Sequence, residues 1–399
     1  MKYDIAIIGA GIVGLATALK IKEKSPQKNL IIIDKEDEVA AHQTGHNSGV
    51  IHSGLYYKPG SLKATNCIGG YNMLVDFCRQ NEVPFDLCGK VVVATNKDEI
   101  PLLNGLFTRG MANGLSGLKM LDQEELKEHE PHVAGLEGFF VPQTGIVDYA
   151  VVARKIKQLL EEKGTTFVLG NAVTKINITS SKAQITAADE QYEADILINC
   201  AGLHSDKIAQ MTGDNPQIKI IPFRGEYFKL KPEKEYLVKN LIYPVPDPNF
   251  PFLGVHFTRM ARGGVEAGPN AVLAYAREGY KKSDISLSEF VEILTWPGFQ
   301  KVAKKYWKTG FGEFYRSYSK AAFTKALQNL IPEITSNDLV IGGSGVRAQA
   351  CDRDGGLLDD FLIHQTKRTI NVLNAPSPAA TSSLSIGDTV ADLVLNGKT

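Results

Sequence analysis

A glycine-rich turn near the amino terminus has the pattern of a dinucleotide-binding site. Gly9, Gly11 and Gly14 have the spacing Gly-x-Gly-x-x-Gly, and Asp34 follows Gly14 by 20 residues. Such glycines let the backbone approach a pyrophosphate, the following helix presents free N–H groups to it, and the acid can bind a ribose hydroxyl. The alternative is a glycine turn without a ligand, and the motif does not by itself separate FAD from NAD.

The elements that this turn requires are present around it. Residues 3–8 form a short β-rich run, residues 12–21 carry apolar side chains at helical spacing, and residues 30–33 are a second apolar run. A later run, residues 194–199, leads into Cys200-Ala201-Gly202. Strands that alternate with a helix in this way predict an α/β fold with a Rossmann-like parallel sheet.

The remaining chain alternates between helical and strand-like patterns. Helices are predicted over residues 62–80, 122–130, 149–163 and 286–325, and from about 378 to 395; a meander is predicted over 167–187, antiparallel strands over 223–277, and a strand over 339–341 before a Gly-Gly-Ser-Gly turn. Because the antiparallel region interrupts two α/β portions, we predict a discontinuous cofactor domain. It comprises residues 1–80, 145–215 and 335–399, and a substrate domain built on an antiparallel sheet comprises 81–144 and 216–334.

Composition narrows the class of protein. Among 399 residues, 44 basic side chains balance 44 acidic ones, whereas nucleic-acid-binding proteins usually have a positive excess. We therefore expect no nucleic-acid partner. The five cysteines form no C-x-x-C pair, which predicts reduced thiols and no metal site. The uncharged run at residues 5–19 is shorter than the about 20 residues that span a bilayer, so a cytoplasmic protein is expected.

Two further segments favour FAD as the dinucleotide. The strand that ends in Cys200-Ala201-Gly202 resembles a second flavoprotein fingerprint, in which a late strand runs to a turn of small residues beside the cofactor. The run Gly45-His46-Asn47-Ser48-Gly49 follows Asp34 at the distance where flavoproteins of this type return to the pyrophosphate. A tightly held FAD needs such additional contacts.

Longer strings, spread over nearly the whole chain, make the resemblance specific. They are residues 47–57, 144–149, 222–225, 254–258, 268–272, 345–350 and 374–383. In these strings the chain resembles the D-amino-acid-oxidase-like FAD-dependent oxidoreductases, and within that family the members that oxidise L-2-hydroxyglutarate to 2-oxoglutarate with non-covalent FAD. An enzyme of the same fold that acts on an amino acid or on glycerol-3-phosphate is the alternative.

Two histidines are candidate bases for this chemistry. Oxidation of a 2-hydroxy acid requires a hydride acceptor over the α-carbon and a base for the hydroxyl proton. His52 lies in an Ile-His-Ser-Gly loop, and His256 lies in an alternating strand where it faces either the site or solvent. His52 has two further interpretations, a buried core histidine and a covalent attachment point for FAD. The histidines without comparable context, expected at the surface, are His42, His129, His132, His204 and His364.

A dicarboxylate substrate also needs cations at both ends. A planar arginine suits a carboxylate best, because it can donate two parallel hydrogen bonds. Arg347 is the strongest candidate, since a G-x-R segment at this place in the resembled fold presents its arginine to the substrate carboxylate; a surface ion pair is the alternative. Further candidate groups are Arg224, Arg259, Arg277, Arg353, Tyr56, Tyr57 and Lys58.

Residues 376–380 predict the start of the last helix, with a proline in its first turn and hydroxyl groups that cap it. In the resembled fold this helix directs its N-terminus at the pyrimidine end of the flavin, where its dipole stabilises negative charge. An ordinary capped helix is the alternative. The predicted cofactor-binding residues are Gly9, Gly11, Gly14, Asp34, Lys35, Asn47, Ser48, Val173, Ala201, Gly202, Gly345, Ser377 and Ala379.

A segment rich in lysine and aromatic residues follows the Trp-Pro-Gly-Phe run at residues 296–299. Its members are Lys301, Lys304, Lys305, Lys308, Tyr306, Trp307 and Phe311. Cations beside interfacial aromatics suit a helix that lies on an anionic bilayer. One hypothesis is therefore a peripheral contact with the inner face of the membrane and a quinone as electron acceptor. The other is a solvated helix whose aromatics pack on the substrate domain, with dioxygen or a soluble acceptor. No obligate protein partner is expected.

Overall fold

The computed structural model describes residues 2–247 and 254–397, and part of the predicted 223–277 region, residues 248–253, lies outside the described residues. The strands are β1 (Lys2–Ile8), β2 (Leu30–Ile33), β3 (Val50–Ile51), β4 (Phe85–Asp86), β5 (Lys90–Ala94), β6 (Lys119–Leu121), β7 (Glu137–Val141), β8 (Gly145–Val147), β9 (Thr166–Val168), β10 (Val173–Ile178), β11 (Ala183–Ala187), β12 (Glu190–Asn199), β13 (Ile218–Leu230), β14 (Leu241–Pro244), β15 (His256–Arg259), β16 (Val265–Gly268), β17 (Val272–Leu273), β18 (Leu339–Asp352), β19 (Leu362–Gln365) and β20 (Thr369–Asn374). The α-helices are α1 (Ile12–Lys24), α2 (Leu62–Gln80), α3 (Ile100–Ala112), α4 (Gln123–His129), α5 (Tyr149–Glu162), α6 (Ser205–Met211), α7 (Leu287–Leu294), α8 (Pro297–Tyr318), α9 (Lys320–Leu327) and α10 (Ala379–Asn396).

The first sheet carries the glycine-rich turn at its centre. Its parallel part has the order β9-β2-β1-β12-β20, and Ile5 of β1 pairs with Leu30 on one side and Ile196 on the other. Most side chains of β1 and β2 are apolar and buried because both faces of a parallel sheet are covered. The crossover helix α1 links β1 to β2, so the carboxyl ends of β1, β2 and β12 meet at one edge. The predicted α/β fold is confirmed.

Helices α1, α2, α5 and α10 cover one face of this sheet. Helices α1 and α10 cross closely at Gly387, where an added Cβ would lie 2.6 Å from the carbonyl carbon of Ala16. Val390 of α10 and Leu15 of α1 are both fully buried in the same core. The last helix therefore packs directly against the helix that begins at the glycine-rich turn.

The meander predicted over residues 167–187 is present only in part. Strands β10 and β11 pair antiparallel with each other, and β11 pairs with the start of β12. Strand β9 instead pairs in parallel with β2. The reason is that α5 carries the chain back to the edge of the parallel sheet, as a crossover connection between parallel strands requires.

The second sheet is mixed, and most of it is antiparallel. Its order is β17-β13-β16-β15-β14-β5-β7-β6, with β18 paired antiparallel along β13. The antiparallel strands predicted between residues 223 and 277 are thus confirmed in the described residues, although β14 also pairs in parallel with β5. One face of this sheet packs on α9 through Phe257, Phe323 and Leu327.

Strand β18 is longer than the pattern at residues 339–341 indicates. The predicted turn at residues 342–345 is wrong, because these residues continue β18 with a register shift opposite β13. At Gly342 an added Cβ would lie 2.8 Å from the carbonyl oxygen of Tyr227, so glycine permits this close pairing. Strand β18 belongs to the second sheet, whereas β20 and α10 pack with the first. The proposed domain boundaries stay a prediction.

The helical region predicted over residues 286–325 consists of α7, α8 and α9, and α8 is kinked at Tyr306, where φ is −112° and ψ is 17°.

None of the helices within 2–247 and 254–397 combines the length and apolarity needed to cross a bilayer. The five cysteines are free, as their spacing predicts.

Candidate active site

One cavity of about 700 Å³ brings together residues from distant parts of the chain. The predicted site residues that line it are Gly9, Gly11, Asp34, Lys35, Asn47, Ser48, His52, Val173, Ala201, Gly202, Gly345, Arg347, Ser377 and Ala379. Gly14 and His256 are absent from its lining, as far as the described residues go. The cavity opens at the carboxyl edge of the first sheet, where α/β folds of this kind bind ligands.

The three glycines of the turn have different tasks. Gly9 has φ +109°, and a Cβ there would lie 2.4 Å from the carbonyl oxygen of Cys200, so another residue would be strained and would clash. At Gly14 a Cβ would lie 2.1 Å from the carbonyl oxygen of Gly9. The absence of a side chain at Gly14 therefore lets α1 pack closely onto the turn. Gly11 faces the cavity, and its nearest neighbour, Thr44 Oγ1, is 3.5 Å from the Cβ position. Gly14 therefore supports the site without lining it.

The start of α1 suits an anionic ligand. Its first turn carries no acidic side chain, and its N-cap residue is Gly11. The Ile12 N–H donates to Thr44 Oγ1 at 3.0 Å, and Asp34 accepts from the Ala10 N–H at 2.6 Å. The turn is thus held in shape by side chains on both sides, beside a helix N-terminus that favours phosphate.

The loop at residues 41–49 is fixed by its own polar groups. Asn47 donates to the carbonyl oxygens of Gln43 and Thr44 and accepts from the Gly49 N–H, so its side chain organises the loop. Gln43 Oε1 accepts from the Ala348 N–H at 3.0 Å, which docks the loop on β18. Sequence reasoning missed Gln43 and Thr44, because polar loop residues without a spacing pattern give no signal.

His52 follows β3 and lies in the cavity wall. Strand β3 belongs to a small sheet of order β3-β8-β4. The His52 N–H donates to Thr381 Oγ1 at 3.1 Å, and Thr381 is 2.8 Å from the hydroxyl of Tyr149, so α5 and α10 together hold the loop. Burial, followed by the charge of Lys90, lowers the pKa of His52 to about 3. The imidazole is therefore neutral near pH 7 and has a lone pair that can accept a proton.

His256 is 6% exposed, so the solvent-facing alternative for it is wrong. Its ring stacks on Tyr243 with centroids 3.9 Å apart, and its Nδ1 lies 3.1 Å from the carbonyl oxygen of Gly254. Burial, with smaller contributions from the charges of Arg347 and Lys90, lowers its pKa to about 3. His52 is the candidate base that lines the cavity, although the assignment of the base stays a prediction.

The candidate arginines separate by their surroundings. Arg347 lines the cavity, together with Tyr56, Tyr57 and a residue that the sequence did not suggest, Lys63. Arg224 pairs with Glu226, Arg259 with Asp86 and Arg277 with Asp206, while Arg353 lies over the ring of Trp296. Lys58 is exposed outside the lining. Among the described residues, Arg347 is thus the one candidate arginine positioned to meet a ligand in the cavity.

Two histidines expected at the surface line the cavity instead. His204 Nε2 lies 2.8 Å from Glu278, and His42 Nε2 lies 2.9 Å from Glu36, because the chain near Glu278 folds over the first sheet. Glu36, His42 and Glu278 place potential metal ligands within 4.8 Å of one another. The Lys35 ammonium forms ion pairs with both glutamates and so balances one of their two negative charges.

The start of α10 differs from the predicted capped helix. Its N-cap is Pro378, and no side chain caps it. Ser377, the hydroxyl residue of the predicted helix start, is exposed and caps nothing, whereas Thr381 in the first turn is buried and holds the loop of His52. Ser377, Ala379 and Ala380 line the cavity, so the helix begins at the cavity wall.

These features define the class of the protein. The residues fit an FAD: a glycine turn that leaves room beside Gly11, an acidic side chain, Asp34, directly after β2, and two helix N-termini at the cavity. A family model described as FAD dependent oxidoreductase matches residues 4–393, so the chain belongs to this family and is an FAD-dependent enzyme.

Its relatives are more specific. The L-2-hydroxyglutarate dehydrogenase of Indibacter alkaliphilus is 61% identical over 396 residues, which cover 99% of each chain. The L-2-hydroxyglutarate dehydrogenase of Escherichia coli K12 is 45% identical and covers 96% of this chain and 91% of its own. The dithionite-reduced, FAD-bound L-α-glycerophosphate oxidase of Mycoplasma pneumoniae has a TM-score of 0.81 at 21% identity, with 100% of this chain and 96% of that chain covered. The last comparison supports the fold alone.

Proposed function

We propose that this chain oxidises L-2-hydroxyglutarate to 2-oxoglutarate. The observation that carries the proposal is the 61% identity, over nearly the full length, to an L-2-hydroxyglutarate dehydrogenase. The cavity supports it, because a neutral histidine after β3 and an arginine on β18 line the same space. Bound FAD supplies the acceptor for the hydride that leaves C2 of the substrate.

The side chains of the cavity have distinct tasks in this reaction. Arg347 binds the carboxylate next to C2 and orients the C2–H bond, since a guanidinium holds a carboxylate through two parallel bonds. An imidazole nitrogen of His52 accepts the hydroxyl proton as C2 loses hydride. Loss of one hydride and one proton converts the C–OH group to C=O, which gives 2-oxoglutarate.

The test is anaerobic mixing of the purified holoenzyme with candidate substrates. L-2-hydroxyglutarate should bleach the absorbance of oxidised flavin. Glycine, sarcosine, D-alanine and glycerol-3-phosphate test the alternative substrates of the same fold and should leave the absorbance unchanged. Rapid bleaching by one of these four compounds, and none by L-2-hydroxyglutarate, would overturn the proposal.

We further propose that the FAD is bound without a covalent link. The resemblance to non-covalent members of the family supports this, as does a cavity whose glycine turn, loop and helix N-terminus offer many separate contacts. Denaturation with acid or heat should release yellow flavin into the supernatant. Flavin that stays in the protein pellet would contradict the proposal and would make His52 the suspected attachment point.

We also propose a peripheral contact with the inner face of the membrane, and a quinone as acceptor. The aromatic stripe of α8, defined as Trp307, Phe311, Tyr315 and Tyr318, supports this, because its members are 63%, 75%, 63% and 66% exposed. Their spacing of four, four and three residues puts them on one face of the helix. Lys304 and nearby lysines are also exposed. The rival interpretation, in which aromatics pack on the protein, holds for Phe299, which is buried, and for Tyr306, which is half-buried against the same cluster.

A further inference from the structure

Lys90, the first residue of β5, is a buried cation that does not itself belong to the described cavity lining but is hydrogen-bonded to Tyr56, which does. It is 1% exposed, and its Nζ lies 4.5 Å from the ring centroid of Tyr56 and 4.9 Å from that of Tyr243. Its hydrogen bond goes to the Tyr56 hydroxyl oxygen at 3.4 Å. Within residues 2–247 and 254–397, no carboxylate oxygen lies within 4.0 Å of Lys90 Nζ, the distance limit for an ion pair.

This environment differs from that of the two arginines that are as deeply buried as Lys90, each 1% exposed. Arg224 pairs with Glu226, and Arg277 pairs with Asp206. Burial of a charge without an opposite charge is unfavourable, so buried cations are normally paired. An anionic group of the bound substrate would supply the opposite charge for Lys90.

The position of Lys90 relates it to the predicted catalytic groups. Its charge lowers the pKa of both His52 and His256, and Arg347 acts on His256 as well. Lys90 lies on β5 and Arg347 on β18, so two cations from different strands act on His256, and Lys90 acts on His52 as well. Lys63, the other lysine near His52, is already paired with Asp359 at 2.8 Å. L-2-hydroxyglutarate carries a carboxylate at each end, which matches two separate cations.

We propose that Lys90, together with the hydroxyl of Tyr56, recognises the distal carboxylate of the substrate and so selects dicarboxylic over monocarboxylic 2-hydroxy acids. The inference rests on the proposed function. Tyr56 lines the cavity, and burial raises its pKa, so its hydroxyl keeps the proton. The hydroxyl oxygen accepts from Lys90, and its proton is directed to the carboxylate. Hydrogen bonds to charged groups of this kind are stronger than neutral ones.

A dependence of substrate affinity on pH follows. Burial lowers the pKa of Lys90 to about 7. The protonated amine binds the distal carboxylate, and free enzyme loses that proton as pH rises through about 7. The KM for L-2-hydroxyglutarate should therefore increase above pH 7, by up to about tenfold per pH unit. The titratable or charged groups around Lys90 are His52, Tyr56, Lys63, Cys67, Tyr243, His256 and Arg347.

The experiment compares two inhibitors of L-2-hydroxyglutarate oxidation at pH 7, the dicarboxylate glutarate and the monocarboxylate butyrate. Lys90→Met should raise the inhibition constant of glutarate by about 10- to 100-fold and should change that of butyrate much less. Lys90→Arg should recover part of the selectivity. Lys219→Met removes another buried lysine, one paired with Glu292, and should leave the glutarate-to-butyrate ratio as in wild type.

The pH profile gives a second, independent readout. The KM of wild type should rise between about pH 7 and pH 9, whereas that of Lys90→Arg should stay level, because a guanidinium does not titrate there. This comparison does not require that Lys90→Met folds. Equal loss of glutarate and butyrate affinity in Lys90→Met, or a level wild-type KM, overturns the inference.

The two proposals fail in different ways. If wild type does not oxidise L-2-hydroxyglutarate, the proposed function falls and this inference falls with it. If wild type oxidises L-2-hydroxyglutarate and the Lys90 variants keep the wild-type preference for glutarate over butyrate, the inference about Lys90 alone is wrong.

Discussion

The five candidate arginines carry the same guanidinium group, and their neighbours in the fold show how each one is used. Arg277 is bonded to Asp206 and Arg224 to Glu226, so these guanidinium groups are already engaged. Arg347 lines the cavity, because β18 continues through residues that have the composition of a turn. The same holds for the histidines, since His52 lines the cavity and His256 stacks behind it on Tyr243.

Replacement of Arg347 by lysine should weaken substrate binding. An ammonium cannot reproduce the two parallel bonds of a guanidinium, and the expected loss is about 1.5–3 kcal/mol. The KM for L-2-hydroxyglutarate and its dissociation constant from flavin bleaching measure this. Arg353→Lys, at an exposed position, is the matched control. Unchanged KM and turnover in Arg347→Lys would remove this residue from the site.

Replacement of His52 by alanine should slow flavin reduction by about 10²–10⁴-fold, the usual effect of losing a general base. The pKa of about 3 makes the imidazole unprotonated through the neutral range, so protonation stops the base only toward pH 3. The wild-type rate of flavin reduction at saturating substrate should therefore stay level from pH 5 to pH 7. Stopped-flow absorbance measures both effects. The control is His132→Ala, because His132 pairs with Glu333 away from the cavity. A wild-type rate in His52→Ala would point to a tyrosine or a water as base.

At the scale of elements, a buried ion pair joins the segment after β17 to α6. Arg277 Nη1 lies 2.6 Å from Asp206 Oδ1, Nη2 lies 2.9 Å from Oδ2, and the two side chains are 1% and 0% exposed. Asp206 also accepts from the Ile220 N–H of β13. The second sheet is thus anchored to a helix that packs near the first.

Arg277→Met should destabilise the protein strongly. It leaves the Asp206 carboxylate buried without its cation, which costs about 3–5 kcal/mol. Denaturant unfolding of the holoenzyme, followed by circular dichroism, measures the loss. The double variant Asp206→Asn/Arg277→Met removes both charges and should recover part of it. A loss below about 1 kcal/mol, typical of surface pairs, would contradict the role given to this pair.

At the scale of the whole molecule, exposed lysines and exposed aromatic side chains are concentrated on one helix. The formal net charge is zero, yet exposed lysines and the aromatic stripe occur together on α8. Leu287 of α7, which contacts α8, is 73% exposed as well. A surface of this kind suits the headgroup region of an anionic bilayer.

The holoenzyme should co-sediment with anionic liposomes at low salt and be released at high salt, because each lysine near the surface contributes about 1 kcal/mol. Trp307→Ser/Phe311→Ser should weaken the binding at low salt, because it removes apolar side chains that enter the headgroup region. Tyr236→Ser, at another aromatic residue that is 61% exposed, is the control. No liposome binding at any salt concentration, together with rapid hydrogen peroxide formation in air, would replace the membrane proposal with a dioxygen-using oxidase.

The sequence by itself determined the glycine turn and the elements next to it. The βαβ unit, the glycine turn and Asp34 follow from local patterns, because the turn, the helix start and the strand edges are set by residues near one another in the chain. Helices α2 and α5 follow from their apolar periodicity in the same way.

Only the tertiary structure decided which polar groups meet. Thr381 holds the loop of His52 across 329 residues of chain, residues 342–345 extend a strand because β13 pairs with them, and Lys90 is buried beside Tyr56. Periodicity records whether a side chain is buried but not which side chain it meets, since that depends on how distant elements pack.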